Sequence, residues 1–244
     1  MKIVIASDLH GNLEALAILP RNYDQLWILG DLVNYGPDPA EVVDYVRLHA
    51  AHVVRGNHDH AVACGEDPRC PGRLHELAKA TGKFTQDQLP PGDRQYLCGL
   101  PLQMELQMGQ TRFWLCHATP SDPLYGYAPA ASEKWSEECN HVPADILLVG
   151  HTHAQFMKKV GNCLLVNPGS LGQPNNRNAL ACYAVWENGI MSLCSTAYAV
   201  ETTVAKVQGL PASEVVRSDL VTLLRTGRLA EVPTRDASQV CLQG

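Results

Sequence analysis

Apolar, β-branched runs that stop at an acid, an amide or an imidazole recur along this chain, and no other feature constrains its fold as much. Residues 2–7 read as a strand covered on both faces and stop at Asp8-Leu9-His10-Gly11-Asn12. A second run, 25–29, ends in Gly30-Asp31. A third, 51–55, ends in Gly56-Asn57-His58-Asp59. Residues 111–116 lead to His117, and 146–149 end in Gly150-His151-Thr152-His153. Strand-end loops more often hold Gly, Ser and Pro. Open α/β sheets place their ligands at the carboxyl ends of their strands. The pattern therefore predicts an α/β chain that gathers Asp8, His10, Asp31, Asn57, His117, His151 and His153 at one edge. Taken singly, each group has a plain reading. Asn12 can cap a helix over 13–19, and Asn-His-Asp after Gly is an ordinary turn.

Between these runs, helices are expected over 40–50, 74–83 and 213–225, and 102–107 pairs with 111–116 as a hairpin around Gly109-Gln110. Strands are expected over 162–166 and 179–186, on either side of Asn167-Pro168-Gly169-Ser170, with a β pattern continuing from 190 to 207. At 244 residues and 45% hydrophobic content the chain can bury a sizeable core, and a single domain over 1–244 is expected. It carries no like-charge run, repeat or bilayer-length apolar segment. Its short apolar start lacks a signal peptide's cleavage site, so a cytoplasmic protein is expected. Nine cysteines without a Cys-x-x-Cys pair argue against a disulfide framework or a zinc knuckle. A net charge of −6 argues against an extended nucleic-acid surface, while a local site can still hold phosphate through metals.

Carboxylate, amide and imidazole without thiolate suit manganese, iron, zinc or magnesium. The set is too large for one ion. Two ions sharing a bridging carboxylate is the natural count, as in hydrolases whose paired metals lie about 3.5–4 Å apart.

In their order, Asp8-x-His10, Gly30-Asp31, Gly56-Asn57-His58-Asp59, His117 and Gly150-His151-Thr152-His153 resemble the motifs of the calcineurin-like metallophosphoesterases. The resemblance covers most of residues 1–153, and the Asn167-Pro168-Gly169-Ser170 turn is similar to that of the small bacterial phosphodiesterase branch. It implies a four-layer α/β/β/α sandwich with a dinuclear centre between the sheets. It also implies one metal on Asp8, His10, Asp31 and His153 and a second on Asp31, Asn57, His117 and His151. Manganese is the first expectation, with iron, zinc, nickel or magnesium as alternatives. His58 matches the family's catalytic acid.

One departure stands out. Many relatives read Gly-Asp-x-x-Asp-Arg-Gly where this chain has Gly30-Asp31-Leu32-Val33-Asn34-Tyr35-Gly36. Loss of both charges leaves the orientation of His58 to Asn34, Asp59 or another residue, and it argues against a phosphoprotein phosphatase. The expected activity is hydrolysis of phosphodiester bonds in a small-molecule or nucleotide substrate through a metal-bound hydroxide. A phosphomonoesterase or nucleotidase is the alternative. A non-catalytic scaffold of the same fold, like the retromer subunit that lacks the acidic His, is disfavoured by His58. Tyr35, Tyr125, Tyr127, Asn175 and Arg177 fall on predicted loops as substrate contacts, with Arg177 the expected cation. Cys64 and Cys70 can form an auxiliary site with His60, but two free loop thiols are the plainer reading. His49, His52, His75 and His141 read as ordinary surface or helix residues, and Trp114 and Trp186 as core.

Overall fold

The computed structural model describes residues 1–229. The first half of the chain runs β1 (Lys2–Ala6), α1 (Leu13–Leu16), β2 (Gln25–Ile28), α2 (Pro39–His49), β3 (His52–Val53), α3 (Asn57–Cys64), α4 (Gly72–Gln88) and α5 (Pro91–Gly99). Then follow β4 (Gln103–Met108), β5 (Thr111–Cys116), α6 (Lys134–His141), β6 (Ile146–Leu148), β7 (Phe156–Val160) and β8 (Cys163–Asn167). The chain closes with β9 (Ala181–Glu187), β10 (Ile190–Thr196), α7 (Val200–Gln208) and α8 (Glu214–Thr226). Two five-stranded sheets result, ordered β10-β9-β1-β2-β3 and β4-β5-β6-β8-β7. In each, three neighbouring strands are parallel, β1-β2-β3 and β5-β6-β8, so their carboxyl ends share one rim.

Alternation along each strand decides the layering. Ile3, Ile5, Trp27 and Leu29 of the first sheet face Phe113, Leu115, Ile146, Leu148 and Val166 of the second, forming a core between the sheets. Their alternates Val4, Ala6, Leu26 and Ile28 face outward and are covered by α1, α2 and α5 through Leu16, Val42, Val46 and Leu97. On the far side, Leu147 and Leu165 pack against Trp135 and Cys139 of α6. The expected α/β/β/α sandwich is therefore the fold. A further cluster joins Tyr35 and Leu77 to Val204, Leu220 and Leu224, which lays α7 and α8 beside α4. Among the described residues, no helix is long and apolar enough to cross a membrane.

Some expected elements differ. The β pattern proposed for 190–207 stops at Thr196, and Val200–Gln208 is helical. Val200, Val204 and Val207 repeat at helical spacing, and their β-branched chemistry had masked that period. Residues 57–64 form a helix where a turn was expected, and Pro91 opens α5 rather than extending a Pro-rich loop. Both α6 and β7 went unanticipated. The helix after Asn12, whose side chain caps it through the Ala15 amide at 3.0 Å, ends at Leu16 instead of Leu19. Trp186 is core as expected, while Trp114 is only half-buried.

Phe113 is fully buried and sits edge-on to Trp27 at 5.0 Å and to Trp186 at 5.4 Å. Phe113→Ala should lower unfolding free energy by about 3–5 kcal/mol in urea titrations, because the packed sheets cannot close the void. A loss under about 1 kcal/mol would show that the inter-sheet core repacks.

Candidate metal centre

The strand ends at the shared rim turn inward through backbone conformations that L-residues adopt rarely. Asp8, His10, Asp31, His151 and His153 have φ of 55°, 46°, 56°, 64° and 57°. Such strain persists only where neighbours hold it. Here the loops are laced together by Asp8 N–H to Gly30 O (3.0 Å), His10 N–H to Asp31 O (2.9 Å) and Gly150 N–H to His117 O (2.7 Å). Asp59 adds three more bonds, accepting from the amides of Asp31, Leu32 and Gly56 at 2.8, 2.8 and 3.0 Å. Gly56 is required by close approach, since a Cβ there would lie 2.1 Å from Asp31 Oδ1.

The ring nitrogens then become specific. His10 Nδ1 lies 3.2 Å from Val33 O, His117 Nδ1 2.7 Å from Leu29 O, and His153 Nδ1 2.9 Å from Gln173 O. A carbonyl can only accept, so each ring donates from Nδ1 and, when neutral, carries a lone pair on Nε2. Those lone pairs face other acceptors. His10 Nε2 is 3.1 Å from His153 Nε2, and His153 Nε2 is 3.4 Å from Asp8 Oδ1. His117 Nε2 is 3.0 Å from Asn57 Oδ1 and 3.2 Å from Asp31 Oδ2, with His151 Nδ1 3.1 Å from the same Asn57 oxygen. Asp8 Oδ2 is buried with no hydrogen-bond partner among the described residues. Acceptors packed against acceptors are what a cation site looks like without its cation. Asp8, His10 and His153 form one such group, and Asp8, Asp31 and His117 an adjacent one.

Protonation follows the same geometry. Burial alone would lower the His117 pKa, but Asp31 beside it pushes it up to about 9, so a proton occupies part of the cation's place. Burial opposes the charge on Asp31 too, yet His117 and His58 hold its carboxyl well below the usual range. Desolvation raises Asp8 and lowers His151 to about 3.

His58 sits on the first turn of α3, outside both groups. Its Nδ1 is 3.1 Å from Asn34 Nδ2. The Asn34 amide cannot turn over, because its oxygen accepts from the Tyr35 amide at 2.9 Å and from the Thr81 hydroxyl at 2.6 Å. Asn34 therefore donates to Nδ1, and neutral His58 carries its proton on Nε2. That nitrogen lies 3.2 Å from Cys70 Sγ and 4.0 Å from Asp31 Oδ2. Burial lowers His58 to about 4 despite Asp31.

The calcineurin-like phosphoesterase superfamily domain matches residues 1–188. The chain belongs to this superfamily. An uncharacterised protein of Methanocaldococcus jannaschii is 30% identical over 76% of this chain and 82% of its own length. The phosphodiesterase YfcE of Escherichia coli is 26% identical over 79% of this chain and 91% of its own. A metallophosphoesterase of Sphaerobacter thermophilus superposes with a TM-score of 0.74 at 28% identity, covering 90% of this chain and 98% of that one.

The metal centre of this phosphoesterase opens on a cavity of about 690 Å³. Tyr35, Tyr125, Tyr127 and Asn175 line it, whereas Arg177 does not. Arg177 is exposed on a turn at φ 61°, with its amide bonded to Gly227 O at 3.4 Å. The arginine that reaches the cavity is Arg69, its guanidinium 4.2 Å from the Tyr125 ring centre. Tyr35 packs on His10 and His58, but Leu74 O at 3.1 Å engages its hydroxyl. Cys64 and Cys70 are both free thiols that do not face each other. Cys64 Sγ lies 3.6 Å from Cys98 Sγ, and Cys70 turns to His58. Sequence reasoning passed over Arg69, Thr81 and Gln173, none of which follows an apolar run.

A group whose pKa is raised on folding adds stability that is present below its unfolded pKa and lost as pH rises through the folded one. For His117 that window runs from about 6.5 to about 9. Melting temperature of chelated protein should fall across it. A divalent ion should displace the proton, raise the melting temperature and remove the fall. No rise on addition of manganese, zinc or iron, together with no bound metal by elemental analysis, would remove the cation reading.

Proposed function

We propose that this phosphoesterase binds two divalent ions and hydrolyses phosphodiester bonds of a small-molecule or nucleotide substrate. Asp8, His10, Asp31 and His153 would hold one ion, and Asp31, Asn57, His117 and His151 the other. The observation that carries the reading is the pair of adjacent acceptor clusters, Asp8–His10–His153 and Asp8–Asp31–His117, joined through a shared carboxylate. Asp31 Oδ2 is 3.2 Å from His117 Nε2 and 3.8 Å from His10 Nε2, which suits a bridge. Bound there, divalent ions neutralise phosphoryl oxygens and bring the ionisation of water near neutral pH.

The remaining work falls to the chain's own groups. His58 faces the cavity and is absent from both clusters, so its Nε2–H is free to meet the leaving oxygen once substrate displaces the weak sulfur acceptor of Cys70. Asn34 is the positioning residue. Where an aspartate would accept from Nδ1 and stabilise a doubly protonated ring, the Asn34 amide donates to Nδ1 and keeps the ring neutral. Such a donor assists leaving groups by hydrogen bonding and suits those that need little protonation. Asn34 and Tyr35 also remove two fixed charges from around phosphorus, which favours a monoanionic diester over a dianionic monoester. That the Escherichia coli relative is a phosphodiesterase agrees with this choice. His58 itself speaks against a purely scaffolding role.

Purified protein should carry close to two metal ions per chain, and Asp31→Asn should lose both by elemental analysis. Two ions retained in Asp31→Asn would remove the bridge.

Turnover supplies a second test. The kcat/KM should be higher for bis-p-nitrophenyl phosphate than for p-nitrophenyl phosphate; the reverse order would favour the monoesterase. His58→Ala should lower kcat by roughly 10²-fold or more with metal content unchanged. Asn34→Asp should improve alkoxide leaving groups more than p-nitrophenolate. Equal effects on both would mean that Asn34 does not set the state of His58.

A further inference from the structure

Beyond the metal centre, the cavity wall contains two buried polar groups that nothing satisfies. Gln173 is 4% exposed, its backbone carbonyl fixes His153 and its amide is held by Ser170 Oγ at 2.9 Å. Its side-chain Nε2 is nonetheless buried without a partner among the described residues. The Tyr125 hydroxyl is likewise buried and unpartnered, while the ring of Tyr125 lies under the Arg69 guanidinium. Leaving a buried donor or acceptor unmade costs about 1–3 kcal/mol, so such groups in a cavity mark where a ligand supplies the missing partner.

Their order along the wall carries information. Gln173 lines the cavity together with His153 and Asp31, on the side of the candidate metal centre. Tyr125 belongs to the wall formed with Arg69 and Tyr127, and Tyr127 is 62% exposed and edge-on to His151 at 6.3 Å. No ion pair of the Arg69 guanidinium is present among the described residues. Its fixed contact is the Tyr125 ring, which makes a planar, polarisable platform. Pro71, Leu74 and Leu223 complete an apolar surround.

We propose that this wall is a nucleoside subsite. It receives the second organic group of the diester, with the sugar against Gln173 and the base against the Arg69–Tyr125 platform. The inference rests on the diesterase reading of the metal centre and adds the class of its substrate. An alkyl chain would fill the apolar surround and leave both polar groups unpaired. A plain aryl group would stack yet offer Gln173 no acceptor. A nucleoside supplies oxygen beside phosphorus and a flat, hydrogen-bonding heterocycle beyond it. The volume, about 690 Å³, lies within the roughly 300–1,000 Å³ common for such ligands.

The test compares two diesters with one leaving group: the p-nitrophenyl ester of thymidine 5′-monophosphate and bis-p-nitrophenyl phosphate. Wild type should show a KM at least tenfold lower for the nucleotide ester. Tyr125→Phe and Gln173→Met should each raise KM for the nucleotide ester about tenfold more than for bis-p-nitrophenyl phosphate, with kcat changing less, and Arg69→Ala should act in the same direction. Equal KM changes on both esters in all three variants would overturn the subsite while leaving the diesterase intact. Hydrolysis of neither ester would instead overturn the diesterase reading. In that event, calorimetry of metal-loaded wild type with thymidine 5′-monophosphate and with methyl phosphate decides the subsite. Tighter binding of the nucleotide supports it, and equal affinity overturns it.

Discussion

Imidazole lone pairs aimed at other acceptors are the constraint on which the rest of this molecule depends. Three rings are locked into one tautomer by carbonyls of Val33, Leu29 and Gln173; the Nε2 atoms of His117 and His153 lie 3.0–3.4 Å from oxygens of Asn57, Asp31 or Asp8, and His10 Nε2 lies 3.1 Å from His153 Nε2. The lock on His117 also joins the sheets, since His117 follows β5 of one sheet and Leu29 follows β2 of the other. Moving either sheet would release the tautomer. The site and the packing of the sandwich are thus held by the same hydrogen bonds.

Convergence has a conformational cost. Side chains of successive strand-end residues can meet at one point only if the backbone turns sharply, and this chain uses positive φ at non-glycine positions to do so. Each such residue costs of order 1–3 kcal/mol. The compensation comes from the inter-sheet core and from the amide bonds to Asp59. Asp31 at the amino end of α3 shows the economy of the arrangement: its Oδ1 accepts the His58 amide at 2.8 Å, where the helix dipole favours an anion, leaving Oδ2 toward the cation site.

These devices explain what could be read beforehand. Strand runs that end in chemistry-bearing residues are local in sequence, so β1, β2, β5 and β6 were legible, as was the set of strand-end side chains that the fold brings together. The helix over Val200–Gln208 was not, because its valines carry strand propensity and only their spacing gives the helix away. The Arg177 expectation failed for a different reason. Position in a loop after a known turn does not say where a side chain points, and the arginine at the cavity, Arg69, comes from a segment between Pro68 and Pro71 with no apolar period to read. The partner of His58 was half legible. Asn34 was named among the candidates, but only the Tyr35 amide and Thr81 reveal which end of its side chain His58 meets.

That segment, residues 65–72, touches both the candidate metal site and the cavity wall. Pro68 O accepts from Asn57 Nδ2 at 2.7 Å, which turns the Asn57 oxygen toward His117 and His151. Arg69 covers Tyr125, and Cys70 rests on His58. None of these residues belongs to a sheet, and the loop's own glycines, Gly65 and Gly72, have no atom within 4 Å of where a Cβ would be. Both sit at positive φ, so a substitution there strains the loop itself without clashing with the strand-end lattice, whereas a change at Gly56 or Asp59 would reach the core. A change in the loop still reaches the candidate metal site by two routes, the Asn57–Pro68 bond and the contact of Cys70 with His58. The second route ends on a strand-end carboxylate, because the His58 amide donates to Asp31 Oδ1 and Asp31 itself lines the cavity.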